Sequence, residues 1–370
     1  MKFTCYSDWQ QLPESVSLLF ALAGKESMFL TREWFEALHA TSSEDGQSLL
    51  LASVVSRDCV LALLPLNGAD DHWHAFSHRY TALFGLLLAE TDRAAVLDCL
   101  AAGLSQRGIH ALQLQPVAED DRSLIGLQAA LESAGYQTHR HFAFYNWIHR
   151  TRGQSFDDYM AARPAQLRNT INRKRRKLAR EQEYSIRLYK DGDVAQGLRE
   201  YHSAYAASWK ANEQYAELLD TVAMTLSVPG WTRIAVLAID GKAVAAQLWF
   251  VVQGKASIFR LAYDEQWKRY SPGSILTAYL MQYVMDTDKV EEIDFLTGND
   301  AYKQDWMSVR RQRCRLLFVK PREAQRHSGN WLTRLKNIFK PAINVIHSRY
   351  LTPATGRISR SQRPPSTTSR

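Results

Sequence analysis

Apolar positions along the chain follow two periods, and the two periods alternate twice in the same order. From Ser48, SLLLASVVSRDCVLALLPL reads as two strands on either side of Ser56-Arg57-Asp58. Helical spacing follows from about Asp92 to Gln106, then HALQLQPV as a strand. A second helix, Ser123 to Ala134, stops at Gly135, and HFAFYNWIHR is the next strand. A glycine just past the last periodic residue suits the left-handed turn that closes many helices.

The second run is sharper. Ile234–Ile239, Val244–Val252 and Ser257–Ala262 are rich in β-branched and aromatic residues and are separated by Asp240-Gly241 and Gln253-Gly254. Such pairs tolerate the positive φ of a two-residue hairpin turn. Ser271 and Pro272 then open a helix that runs to about Asp286, with Ile275, Leu276, Tyr279, Leu280, Tyr283 and Val284 at helical spacing. The strand EEIDFLTG, the loop Thr297-Gly298-Asn299-Asp300 and the short segment AYKQDW complete the run.

The shared order predicts an α/β (α+β) protein made of two similar units without visible sequence repeat, each a mixed twisted sheet flanked by helices. The boundaries fall at residues 1–150, 151–320 and 321–370. The second unit opens on a capping box, Ser155 with Asp158. A helix starting at Pro164 follows, reading RPAQLRNTINRKRRKLARE, with eight basic residues between Arg163 and Arg180 and an apolar stripe of Leu167, Ile171 and Leu178. This is either a solvated face or an anion-binding wall for a phosphorylated or polyanionic ligand. Without interleaved aromatics for base stacking, nucleic acid is not the expected partner. A helix over 197–219 places His202, Tyr205 and Trp209 on one side, with a loop after it.

Charge changes the picture only at one end. The chain totals +8, but residues 321–370 hold ten Lys or Arg against Glu323 alone, a net of +9, which leaves −1 for residues 1–320. The basic character therefore belongs to the tail. There, residues 331–350 form a basic amphipathic pattern broken at Pro341, suited to docking on the rest of the chain or on an anionic membrane surface. From Thr352 onward the chain is too polar to build a core. Four widely spaced cysteines, with no C-x-x-C pair, read as reduced thiols, and no metal is expected. Asp8, Pro13 and Glu14 precede the short apolar VSLLFALAG, unlike a secretory leader. The expected location is cytoplasmic, with contact to the inner face of the membrane through 331–350.

The join between the third strand of the second run and its helix carries the chemistry. A helix N-terminus presents backbone N–H groups and positive dipole, and Gly273 keeps no side chain between a phosphate and that backbone. Lys268, Arg269, Ser271 and Ser274 surround it, although Ser-Pro-Gly also starts ordinary helices. These residues, the hairpin strands, Tyr263-Asp264 and IDFLTGNDAYKQDW (Ile293 to Trp306) resemble the Gcn5-related acyltransferase superfamily (GNAT). The resemblance is to its tandem-domain branch, which includes acetyltransferases of cellulose or polysaccharide synthesis and Fem-type aminoacyltransferases. It covers the second half well and the first by architecture.

The resemblance implies acetyl-CoA or another acyl-CoA as donor and a small-molecule or saccharide acceptor. It implies Tyr302 as the group that protonates the departing thiolate and Lys303 as a counter-charge. Asp294 would orient the acceptor from a strand end, and His202 would take its proton. A lone His among aromatics also fits a structural role, and a Tyr-Lys pair after a loop also fits capping and packing. The superfamily's phosphate loop (Gln or Arg, two residues, Gly, one residue, Gly or Ala) is not matched around Gly273, which leaves the donor open. No G-x-S-x-G elbow, Walker loop or H-E-x-x-H motif is present, so hydrolase, NTPase and metalloprotease chemistry is not expected.

Overall fold

The computed structural model describes residues 1–41, 47–208, 210 and 213–321. By contacts the chain divides into Met1–Lys320 and Pro321–Arg370, and all that follows concerns the first unit. The amphipathic stretch 331–350, the polar tail and Trp209 lie outside the described residues.

The first half runs β1 (Lys2–Tyr6), α1 (Val16–Gly24), α2 (Arg32–Thr41), β2 (Ser48–Ser56), β3 (Cys59–Ala69), β4 (His72–Ala75), β5 (Leu87–Leu88), α3 (Arg93–Gln106), β6 (Ala111–Ala118), α4 (Arg122–Ser133) and β7 (Gln137–Arg150). The second half runs α5 (Phe156–Ala161), α6 (Ala165–Glu181), β8 (Tyr184–Tyr189), α7 (Val194–Ala206), α8 (Ala216–Thr225), β9 (Thr232–Ile239), β10 (Lys242–Val252), β11 (Lys255–Tyr263), α9 (Pro272–Asp286), β12 (Glu292–Thr297), α10 (Lys303–Trp306) and β13 (Val309–Val319). All three hairpin turns marked by the sequence take two consecutive positive φ values, at Arg57 and Asp58, Asp240 and Gly241, and Gln253 and Gly254. That conformation matches the twist of the strands it joins.

The strands form one sheet in the order β1-β2-β3-β4-β6-β13-β7-β12-β11-β10-β9-β8, with β5 on β3. Read inward from either end, it is the same list. Four antiparallel strands (β1 to β4, or β8 to β11) lead to a parallel neighbour (β6 or β12). At the centre the halves exchange their last strands. β13 pairs with β6 from Val319↔Ala111 to Arg313↔Ala118, and β7 pairs with β12 from Glu292↔Arg150 to Thr297↔Asn146. The two expected sheets are thus continuous.

Helices cover both faces. On β9, Ile234 and Val236 enter one core with α7, α8 and most of the first half, while Ala235 and Leu237 enter a second core with α9, α5 and α6. α7 lies close to the sheet because Gly197 has no Cβ, which would fall 2.6 Å from Tyr189 Cβ. The helix expected over 197–219 ends at Ala206. Past it, Ser208 Oγ donates to Tyr205 O and accepts from Lys210 N–H, and these local bonds compete with the helical ladder. Five strands carried no expectation from sequence, β1, β4, β5, β8 and β13. Among the described residues no helix is long and apolar enough to cross a membrane.

The exchange at the centre predicts that the halves do not fold separately. A chain of residues 1–150 leaves β7 with neither of its partners and β6 with one open edge. It is expected to aggregate or to give a collapsed amide NMR spectrum. A dispersed, monomeric spectrum would show that the first half carries its own fold.

Candidate active site

β11 and β12 pair at three positions only, Lys255↔Glu292, Ala256↔Ile293 and Ser257↔Asp294, after which β11 continues to Tyr263 without β12. Along this parted stretch the register between β11 and β10 slips between Leu248 and Trp249, leaving Phe259 as a bulge. Bulges of this kind re-aim the backbone next to active sites. The 3-10 helix Glu265–Tyr270 then turns the chain into α9.

The start of α9 is held from below. Gln247, fully buried on β10, donates to Gly273 O at 2.9 Å and to Thr277 Oγ1 at 2.8 Å, and its own oxygen accepts from Trp249 Nε1 at 2.9 Å. Ser271 is the left-handed N-cap, φ 55°, and makes no side-chain cap. The expected cradle of amides over 271–274 is smaller than the sequence suggested, because that turn folds the chain onto its own carbonyls. Ser271 N–H goes to Lys268 O, the Ser274 and Ile275 N–H groups both go to Ser271 O, and Pro272 has none. Gly273 N–H stands outside these bonds, and a Cβ on Gly273 would touch the Tyr263 ring at 3.4 Å.

Lys268 and Arg269 sit one turn before this point. Lys268 is exposed beside Glu265 at 3.8 Å, and the Arg269 guanidinium lies over the Tyr270 ring at 4.7 Å. α6 reaches the same place: Lys174 Nζ donates to Arg269 O at 2.5 Å and Lys177 lies 5.6 Å over Tyr270. The outer side of α6 forms a groove of about 980 Å3 lined by Asn169, Asn172, Arg173, Arg176, Lys177 and Arg180 among others.

Tyr302 is the N-cap of α10, with 47% of its surface exposed and its ring against Phe295 at 6.2 Å. The protein around its hydroxyl, and then Asp300, push its pKa well above that of an ordinary phenol. It therefore stays protonated across neutral pH. A cleft of about 600 Å3 lined by Trp147, Asn299, Asp300, Ala301, Gln304, Ser308 and Arg310 opens beside it. Lys303 is buried at 4% exposure. Its ammonium donates to Phe295 O at 2.9 Å and Thr297 O at 2.6 Å, so it staples the end of β12, and burial lowers its pKa against the pull of Asp300 and Asp294.

Asp294 lies on the other face of β12 from Phe295, since Ile293 and Phe295 enter one core and Leu296 the other. It joins a network across three strands. Its Oδ1 accepts from Asn146 Nδ2 at 2.5 Å and Leu296 N–H at 2.6 Å, and its Oδ2 accepts from Arg311 Nη2 at 3.1 Å. Asn146 Oδ1 accepts from both Arg311 and Arg313, and Arg311 also reaches Glu292 at 3.2 Å. Both Asp294 oxygens are thus engaged inside the sheet rather than turned to the Tyr302 cleft. His202 Nε2 pairs with Asp220 Oδ1 at 2.7 Å, on the α7 side of the sheet and opposite α9. The structure brings Lys268, Arg269, Ser271, Gly273 and Ser274 together, and Tyr302 with Lys303, but sets Asp294 and His202 on the far face.

Sequence reasoning passed over Asn146 and Gln247, whose signal is a polar residue inside a largely apolar strand, and Arg313, which stands among other charges on β13. It also passed over His78, Tyr80, Lys210, Glu213 and Arg260, drawn together from both halves.

The parallel pair of the second half thus parts after three residues, and a helix starts beside the gap. Residues 165–304 match the family model described as acetyltransferase (GNAT) domain. The crystal structure of FemX superposes with a TM-score of 0.60 at 9% identity, covering 92% of this chain and 100% of that one. A conserved protein of unknown function from Bacteroides thetaiotaomicron VPI-5482 gives 0.58 at 11% identity, covering 86% and 100%. No curated protein matches. Residues 165–304 are thus similar to the acetyltransferase (GNAT) domain, and the likeness to FemX extends the fold over most of the chain.

Two outcomes follow from the buried polar groups. Asn146→Leu leaves Arg311, Arg313 and Asp294 without their shared partner and is expected to cost about 2–4 kcal/mol in urea unfolding. A loss below about 0.5 kcal/mol would mean that the network contributes little. His149, buried with Nδ1 2.8 Å from Ser308 Oγ, is pushed down from 6.5 to about 4, by burial first and then by Arg163. It is neutral when folded but takes a proton when unfolded below 6.5, so its contribution is full above that pH and is lost as pH falls toward 4. Acid should remove up to about 3 kcal/mol through this group, and His149→Gln should flatten that part of the stability curve. An unchanged slope would refute the assignment.

Proposed function

We propose that the protein transfers an acyl group from acyl-CoA, with acetyl-CoA the first candidate, to an amine or hydroxyl of a sugar, polysaccharide or cell-envelope precursor. The acceptor attacks the thioester directly. The observation that carries this reading is the parting of β11 from β12 beside the start of α9. A pantetheine arm fits between strand edges no longer bonded to each other, and the pyrophosphate falls at Gly273 N–H with Lys268 and Arg269 as counter-charges.

The chain's own groups divide the work. Gln247 fixes the first turn of α9 through Gly273 O, so its free amide is pre-positioned. Lys303 holds the end of β12 and thereby the loop before Tyr302. Tyr302 hydrogen-bonds the leaving sulfur. With its pKa raised far above a thiol's, it stabilises the thiolate by donating a hydrogen bond rather than by giving up its proton outright.

A second reading has its own observation. The groove along α6 is lined by Arg173, Arg176, Lys177 and Arg180, and that charge suits an aminoacyl-tRNA donor of the kind used by Fem-type enzymes. A third, non-catalytic reading as a polysaccharide-synthesis accessory protein predicts binding of neither donor. Calorimetry with acetyl-CoA and, separately, with a tRNA separates the three.

Gly273→Asp should abolish acetyl-CoA binding, because it adds negative charge where phosphate sits, while its Cβ meets only the Tyr263 ring at ordinary contact distance. Retained affinity in a folded variant would sink the donor site. Tyr302→Phe should lower turnover by on the order of a hundredfold with donor affinity intact. Normal turnover would assign Tyr302 to packing.

A further inference from the structure

The stretch of β11 that continues past β12 carries a group of charged and aromatic side chains from three parts of the chain. Arg260 and Leu261 belong to β11, Lys210 and Glu213 to the segment between α7 and α8, and His78, Arg79 and Tyr80 to the first half. Lys210 Nζ donates to Leu261 O at 2.5 Å. Arg260 stacks on Tyr80 with its guanidinium carbon 3.7 Å from the ring centre, and its Nε lies 3.5 Å from Glu213 Oε2. Tyr80 O–H donates to Glu213 Oε1, Arg79 donates to Gln214 Oε1 at 3.0 Å, and Tyr215 stands edge-on to His78 at 4.5 Å. Together with the bridge between Ser208 and Asp264, these contacts tie Ser208, Lys210 and Glu213 to the parted strand.

Their electrostatics point one way. Glu213, the carboxylate of the group, is held by Arg260 and Tyr80. His78 accepts the Tyr80 N–H at Nδ1 and is pushed down to about 4 by burial, Arg79 and Arg260, so it is neutral. From α7, Tyr205 presents its ring 5.8 Å from Lys210 Nζ. Burial first, and then the Arg260 charge, bring Lys210 down to about 8. α7 packs on the face of the sheet opposite α9, so this group meets the parted strand from the side away from the nucleotide end of the donor.

We propose that the junction of the two halves is the acceptor entrance and that Lys210 is the base that takes the proton of the attacking amine or hydroxyl. The inference rests on the donor reading above. The nucleophile's lone pair forms the bond to the acyl carbon, the C–S bond breaks with its electron pair going to sulfur, and the nucleophile's proton goes to Lys210 Nζ and then to solvent. The thiolate departs hydrogen-bonded to Tyr302. The first half has a part in the reaction here, because Tyr80, whose N–H is held by His78, holds Arg260 and Glu213 and so sets the field around Lys210.

The test needs no knowledge of the acceptor, because water and hydroxylamine serve as probe nucleophiles. Water must lose a proton as it attacks, whereas hydroxylamine, unprotonated at pH 7 and strongly nucleophilic, attacks first and gives up its proton to solvent afterwards. CoA release from acetyl-CoA by the full-length wild type in water should rise as pH passes about 8. Lys210→Met and Lys210→Arg should lose that rise and fall on the order of a hundredfold. Their acetyl-CoA affinity by calorimetry and their melting temperature should stay close to wild type, and hydroxylamine should restore release to within about tenfold. In the wild type, pH-dependent modification of Lys210 by acetic anhydride, read by mass spectrometry, should have its midpoint near 8. An unshifted pH profile in the variants, equal losses with both nucleophiles, or an ordinary lysine midpoint overturns the assignment. If the wild type itself does not bind acetyl-CoA, the donor reading has failed and the role of Lys210 falls with it.

Discussion

The described structure depends on one pair of strands in the middle of the sheet. β7 and β13 each leave their own half and lie against the other, and the carboxamide of Asn146 sits on that seam between Asp294 and two arginines. Burying two guanidinium groups is expensive, and Arg313, lowered to about 10 by burial, shows that cost. The cost is met only while Asn146, Asp294 and Glu292 hold their places, so strands from both halves are fixed in one register. Glu292 and Asp294 start β12, and the position of β12 decides where β11 is left without a neighbour.

The proposed donor and acceptor ends both depend on that placement. On one face α9 begins beside the gap and Gln247 sets its height. On the other, the segment after α7 is tied along β11 by side chains of the first half. The first half contains the same gap by symmetry, since β4 and β6 also pair at only three positions. There the chain covers it: Phe84 N–H bonds Pro116 O and Ser77 Oγ bonds Gln115 O. Its helix α3 likewise starts from a left-handed cap, but the cap is Asp92, which repels an anion. One half thus holds a site and the other supports it.

Much of the fold was legible because its signals are local. Asp240-Gly241, Gln253-Gly254, Ser271-Pro272 and Gly135 each fix a turn or a helix end through their own backbone preferences, and the order of elements follows. β13 was missed because VRRQRCRLLFV mixes charges with apolar residues, and its arginines make sense only beside Asn146 and Glu292, more than a hundred residues away or on another strand. The site divides in the same way. The start of α9 and the Tyr302-Lys303 pair were expected from contiguous motifs. The positions of Asp294 and His202 depend on which face of the sheet they occupy, and Lys210 acquires its character from Arg260 and from burial, neither of which is written next to it.

The central place of the last strand also orders events during synthesis. Ala111 and its neighbours on β6 leave the ribosome long before Val319 and the rest of β13 that will cover their edge. At ordinary elongation rates of about 5–20 residues per second, that edge waits on the order of ten seconds or more. For that interval the nascent chain exposes an unpaired, largely apolar strand edge in the middle of a growing sheet. A protein built this way depends on protection before release, and its yield in a cell should respond to translation speed and to chaperone supply more than its finished stability would suggest.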